Sequence, residues 1–127
     1  MTLKTIALIA HDGRKAEMVG FVKDHYNFFS KMKLVATGTT GSYIQQTGLT
    51  VTRKLSGPQG GDAQIAAMAA EGKIGCIIFF RDPLGKHPHE PDVQMLLRIC
   101  DLHNVPLATN PATATYLLAG MEKALKG

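Results

Sequence analysis

The feature that most limits what this chain can fold into is one unit met five times in succession. Each unit is a short apolar run, a glycine-containing turn and a segment of helical period. The runs are Thr5–Ala10, 34–37, 49–52, Ile74–Phe80 and 106–109. Most are continuously apolar rather than alternating, the pattern of strands covered on both faces. The run Leu49-Thr50-Val51-Thr52 alternates, which predicts an edge strand.

The segments between the runs carry helical stripes. In 92–103, Val93, Leu96, Leu97 and Cys100 recur at i, i+3, i+4 and i+7. In 14–30, Met18, Val22, Tyr26 and Phe29 form a similar face. The segment 62–71 is alanine-rich, with Asp62 at its start and Gly72 just past its end. A last helix is predicted to start near Pro111, since proline suits a first helical turn. Strands alternating with helices predict an α/β fold: a single-domain, three-layer αβα sandwich around a five-stranded, mostly parallel, Rossmann-like sheet. Ligands of such sheets sit beyond the carboxyl ends of the strands. That rule directs attention to residues 11–15, 37–41, 56–62, 81–92 and 109–113.

Composition narrows the class. At 127 residues the chain is expected to form one domain, residues 1–127, with a core that needs no staples. With 45% hydrophobic and 19% charged residues it is neither disordered nor low-complexity. The apolar runs, among them 6–10 and 76–80, are far short of the ~20 residues of a membrane span. No basic region followed by a long apolar stretch opens the sequence, so no secretory signal is expected. Cys76 and Cys100 lie in apolar segments without a Cys-x-x-Cys pairing, which predicts two buried thiols in a reducing cytoplasm. The net charge of +4 comes from scattered residues whose only adjacent pairs are Arg14-Lys15 and Arg53-Lys54. A nucleic-acid binder concentrates such residues in a stripe, whereas a dispersed positive bias suits a small anion.

Thr37-Gly38-Thr39-Thr40-Gly41 leaves the second run and opens a helix. Glycines let backbone come close to an anion, first-turn amides point at it, and three hydroxyls add donors. It is neither Gly-x-Gly-x-x-Gly nor a Walker loop, and a turn that only caps a helix fits this segment equally well. Ser56-Gly57-Pro58-Gln59-Gly60-Gly61-Asp62 is a second glycine-rich turn at the same sheet end, and the pair favours an anion site. Lys15, four residues past His11, is placed to supply a cation there, although a lone lysine is ordinarily a solvated one. Asp62 reads first as a helix N-cap. A helix N-terminus favours the ionised carboxylate, which weakens it as a base. Proton abstraction by Asp62 therefore needs a site closed to water, or a substrate C–H acidified by a polarised carbonyl.

Residues 81–92 hold three prolines, two histidines and three carboxylates. Prolines stiffen a loop that must hold side chains in fixed geometry. His87-x-His89 with Asp92 is a conceivable metal set, but no cysteine or further histidine lies near it. The plain alternative is a polar surface loop with Asp92 capping the next helix.

The residues then become recognisable. Ala10-His11-Asp12 with Lys15, Ala36-Thr37-Gly38-Thr39-Thr40-Gly41, Leu55-Ser56-Gly57-Pro58-Gln59-Gly60-Gly61-Asp62, Glu71-Gly72-Lys73, Phe79-Phe80-Arg81-Asp82-Pro83-Leu84, Pro88-His89-Glu90-Pro91-Asp92 and Ala108-Thr109-Asn110 together resemble the methylglyoxal synthases, nearly end to end. The resemblance implies a homohexameric carbon–oxygen lyase of the cytoplasm that turns dihydroxyacetone phosphate into methylglyoxal and inorganic phosphate without cofactor or metal. It implies that His11, Lys15, Thr37, Gly38, Thr39, Thr40, Ser56 and Gly57 bind substrate. It further implies that Asp62 is the catalytic base, that His89 contacts the carbonyl end, and that Asp82 and Asp92 are supporting carboxylates. Longer relatives carry a tail arginine; only residues 111–127 follow Asn110, so nothing about that arginine transfers.

Three rivals stand against that expectation. A receiver-type phosphoacceptor domain needs an acidic pair after the first strand and an aspartate ending the third, where this chain has His11-Asp12 and no acid. A non-catalytic module of the same fold that binds a phosphorylated metabolite has no need of Asp62, His89 and Asp92 together. A metal-dependent hydrolase is separable by chelator.

Overall fold

The computed structural model describes residues 4–85 and 90–126. Five strands, β1 (Thr5–Ala10), β2 (Leu34–Ala36), β3 (Thr52–Arg53), β4 (Ile74–Phe80) and β5 (Leu107–Ala108), form one sheet in the order β3-β2-β1-β4-β5. Every neighbouring pair is parallel. The helices are α1 (Lys15–Asp24), α2 (Tyr26–Phe29), α3 (Gly38–Gln45), α4 (Gly61–Ala70), α5 (Glu90–His103) and α6 (Pro111–Lys126).

Continuous burial explains the central strands. Ile6, Leu8 and Ala10 of β1 enter one core with Met18, Phe21 and Val22 of α1, Phe29 of α2, Ile44 of α3, and Ala114 and Leu118 of α6. Ala7 and Ile9 turn to the other face and meet Ile65, Ala66 and Ala69 of α4 with Val93, Leu96 and Cys100 of α5. The sheet is thus covered on both faces, the expected three-layer α/β architecture.

The stripe in α5 is the predicted one, with Leu97 packed at its margin. The stripe in 14–30 is not continuous. His25 (φ −118°, ψ 30°) breaks the helix between α1 and α2, and the rotation leaves Tyr26 exposed while Phe21 and Phe28 turn inward. The alternating run at 49–52 pairs later than predicted. Leu49 and Val51 are buried, but the β3 pairing falls on Thr52 and Arg53, both exposed. The strand does lie at the sheet edge.

The strand order reverses between β1 and β4, the place in such sheets where the loops diverge and leave a crevice. Among the described residues, no helix is long and apolar enough to cross a membrane.

Candidate active site

Because all five strands are parallel, the loops that follow them share one rim. On the β1–β4 side, four contacts fasten the loops to each other. The His11 N–H donates to the Phe80 carbonyl at 3.1 Å. The Asp82 N–H donates to His11 Nδ1 at 2.9 Å. Arg14 Nη1 donates to the Arg81 carbonyl at 2.7 Å. Gly13 lies so close to Asp82 that a Cβ there would sit 3.1 Å from Oδ2. An imidazole whose Nδ1 accepts a hydrogen bond carries its proton on Nε2 when neutral. His11 is buried, its ring edge-on to Phe79.

Asp82, expected as a supporting carboxylate, supports the loop itself. Its Oδ1 accepts the N–H groups of Leu84 (3.0 Å) and Gly85 (3.2 Å). Lys15, expected as a mobile cation, is ion-paired with Asp12. The lysine side chain is largely buried while that of Asp12 is 96% exposed. Both line an open cleft of about 540 Å³ with Ala16, Val19, Thr39 and Tyr43.

The β2–β3 side is built from the two glycine turns. Thr37 ends its strand early and caps α3 in extended geometry (φ −70°, ψ 155°). The glycines of this turn serve packing. A Cβ at Gly38 would lie 3.0 Å from the Ser56 N, and one at Gly41 would lie 2.7 Å from Arg53 Cγ. Arg53 Nε also donates to the Gly38 carbonyl at 3.2 Å. Glycine here lets the second turn and the Arg53 stem reach α3, where the sequence suggested close approach to an anion.

The three hydroxyls are not equivalent either. Thr40 Oγ1 donates to the Ala10 carbonyl at 3.3 Å, tying α3 to the end of β1. The Gly38 N–H is taken by the Leu55 carbonyl at 3.1 Å. The Thr39 and Thr40 amides belong to the first turn, where the helix has no acceptors of its own to offer.

Asp62 is 0% exposed. It is not the N-cap. Gly60 (φ 107°) occupies that position, and Asp62 is the second residue of α4. The left-handed backbone at Gly60 carries the chain from the short turn Gly57–Gln59 into the helix. The helix start is pressed onto the preceding strand end: a Cβ at Gly61 would lie 1.9 Å from the Leu55 carbonyl oxygen, and the Gly61 N–H donates to the Ser56 carbonyl at 2.9 Å. Asp92 is likewise no cap, being the third residue of α5. His87 and His89 lie outside the described residues, so the metal set and the carbonyl contact stay expectations. Among the described residues, no three His, Cys, Asp or Glu groups converge as for a metal.

Two side chains of the rim went unread in the sequence. Gln64 reaches the backbone of Leu55 and Arg53 reaches that of Gly38. Neither sits in a motif, and both act on backbone atoms that only the folded sheet edge brings near.

Comparison with known proteins gives a consistent answer. The family model of the MGS-like domain matches residues 17–109. The methylglyoxal synthase of Borrelia garinii subsp. bavariensis is 61% identical over 120 residues, 94% of this chain and 95% of that protein. The methylglyoxal synthase of Thermus thermophilus is 54% identical over 122 residues, 95% of this chain and 97% of its own length. The crystal structure of methylglyoxal synthase from Elizabethkingia anophelis superposes with a TM-score of 0.86 at 44% identity, covering 91% of this chain and 77% of that one. A structure described as ForH shares the fold alone, with a TM-score of 0.65 at 14% identity, covering 97% of this chain and 82% of that one.

Proposed function

Given that this chain belongs to the methylglyoxal synthase family, we propose that it is the lyase that converts dihydroxyacetone phosphate to methylglyoxal and inorganic phosphate. The observation that carries the reading to this chain's own residues is Asp62. A carboxylate fully buried in a helix first turn, beside a two-turn anion corner, meets the requirement for a base kept from water.

The chemistry follows in two steps. The Asp62 carboxylate removes a proton from the hydroxymethyl carbon, and the electron pair moves onto the carbonyl oxygen to give an enediolate. A neutral histidine donor offsets the developing charge. His11, with its proton on Nε2, and His89 are the candidates. The hydroxyl on the deprotonated carbon then passes its proton to the enediolate oxygen and becomes an aldehyde carbonyl, while the C=C electron pair shifts to the neighbouring C–C bond and breaks the C–O bond to phosphate. Inorganic phosphate leaves, and the resulting enol takes a proton on carbon to become methylglyoxal. Expulsion requires the breaking C–O bond to stand out of the enediolate plane, so that its σ* orbital overlaps the π system.

The leaving dianion would be held by the Thr39 and Thr40 amides, the Thr37 and Thr39 hydroxyls, Ser56, Gly57 and Lys15. Lys15 would exchange its Asp12 partner for phosphate. Asp92 and Asp82 act as supporting groups.

The same reading extends to a homohexamer in the cytoplasm, and to inorganic phosphate as a competitive inhibitor. A metabolite-binding module without catalysis is disfavoured by the curated relatives, which are named as synthases. The test is to supply dihydroxyacetone phosphate to the purified protein with chelator present, and to assay methylglyoxal and phosphate together. Equimolar release of both is expected. Phosphate binding without turnover would favour the regulatory module, and loss of activity with chelator would bring the metal set back.

A further inference from the structure

We propose that Gln64 is a positioning residue that sets the phosphate corner and the catalytic helix in one geometry, a statement that rests on the functional reading above. The residue that joins them is Leu55, between β3 and the second glycine turn. Its N–H donates to Gln64 Oε1 at 2.9 Å. Its carbonyl accepts the Gly38 N–H at 3.1 Å, from the first residue of α3. The same carbonyl is the atom against which Gly61 is pressed. One residue's backbone therefore touches the start of α3, the start of α4 and a side chain of α4 two positions past Asp62.

Each contact is directional. The Gly38 bond fixes the rotation of α3, and with it the aim of the Thr39 and Thr40 amides. The Gly61 contact fixes how closely α4 approaches Ser56. Only the Gln64 bond is made by a side chain, so it is the contact a substitution can remove without disturbing the backbone. β3 offers little help, since it pairs with β2 through two residues, both exposed. Without Gln64, the strand end that carries Ser56 and Gly57 is expected to wander while Asp62 stays buried in α4. Substrate affinity should then suffer more than turnover.

The experiment uses Gln64→Met, which keeps length but has no acceptor oxygen of comparable strength, beside Gln64→Glu, which keeps one at the same reach. Gln64→Met is expected to raise KM for dihydroxyacetone phosphate, and the inhibition constant of inorganic phosphate, by about 3- to 10-fold each, with kcat within about twofold. Exchange of the Leu55 amide should accelerate by a similar factor in Gln64→Met and stay slow in Gln64→Glu. Faster Leu55 exchange with unchanged KM and inhibition constant would overturn the proposal. So would unchanged Leu55 exchange in Gln64→Met, or a kcat loss larger than the KM change. Failure of the underlying function would show in the unsubstituted protein as absence of methylglyoxal or of phosphate competition, whatever the Leu55 amide does.

Discussion

The backbone N–H of Asp82 donates to Nδ1 of His11 across 2.9 Å, joining the two loops on either side of the point where the strand order reverses. The bond assigns the histidine's proton to Nε2 and leaves that N–H as its remaining donor. The Asp82 carboxylate is meanwhile spent on the Leu84 and Gly85 amides. The acid thus reaches His11 through its own main chain and not through its carboxylate.

That division of labour predicts unequal effects at one position. Asp82→Asn retains an acceptor oxygen for both amides and is expected to keep kcat/KM within a few-fold. Asp82→Ala frees the loop and should cost at least about tenfold, the scale of one or two lost hydrogen bonds. Steady-state kinetics measures the difference. A nitrogen spectrum of the His11 ring should retain the Nε2–H tautomer in Asp82→Asn and lose its fixed assignment in Asp82→Ala.

Asp62→Asn removes the proposed base and keeps the shape. Turnover is expected to fall by at least about 100-fold, with the phosphate inhibition constant little changed, because proton transfer by a positioned group contributes roughly 10²–10⁴ in rate. Near-normal kcat in this variant would take the base's role away from Asp62.

The threonines of the first turn separate binding from structure. Thr40→Val strands the Ala10 carbonyl and is expected to lower stability by about 1 kcal/mol in a denaturant titration. Thr39→Val removes a hydroxyl from the cleft that Lys15 lines. It should raise KM while leaving the denaturation midpoint where it was.

Gly61→Ala tests the docking of α4. Its Cβ would meet the Leu55 carbonyl oxygen at 1.9 Å, a backbone atom that cannot rotate away. A loss of about 3 kcal/mol or more is expected, the upper range for overpacking. It should be visible as a lowered Tm together with raised KM.

The two thiols predict an alkaline limit. Burial pushes the Cys76 thiol up from 9.0 to about 12. Burial, with the Asp101 charge adding to it, pushes Cys100 up from 9.0 to about 11. The unfolded chain ionises these groups first. Their contribution to stability is therefore complete below pH 9, and it falls as the pH rises from there toward about 11 and 12. Unfolding titrations at successive pH values should show the decline, and Cys→Ala variants should flatten it. At neutral pH neither thiol of the native protein should react with an alkylating reagent.

The architecture was legible because the central strands are defined by burial on both faces. β1 and β4 fall where their apolar runs lie, and Val93, Leu96 and Cys100 bury as their spacing implies. The edge was less legible. Leu49 and Val51 are apolar because they pack in the core, whereas the paired residues Thr52 and Arg53 face solvent, so hydrophobicity marked the wrong part of the segment. The break at His25 has no proline or glycine to announce it; packing of Phe21 and Phe28 decides it.

At the rim, the loops and the chemistry of their residues could be named from the sequence. The partner of each group could not. Hydroxyls look alike until one of them finds Ala10, and glycines look like an anion cradle until Arg53 and Ser56 fill the space beside them.

The two-residue edge strand β3 leads into one of the two turns proposed to hold phosphate. Cooperative units of a protein open from their least secured margin, and two residue pairs on a sheet border are a small hold. An anion seated on Ser56 and Gly57 would add a brace at that border, so occupied protein should resist local opening and proteolytic nicking there more than the vacant form. Heat tolerance would then track metabolite supply: the chain would be hardiest when its substrate is plentiful and most easily frayed when the cell has run short of it.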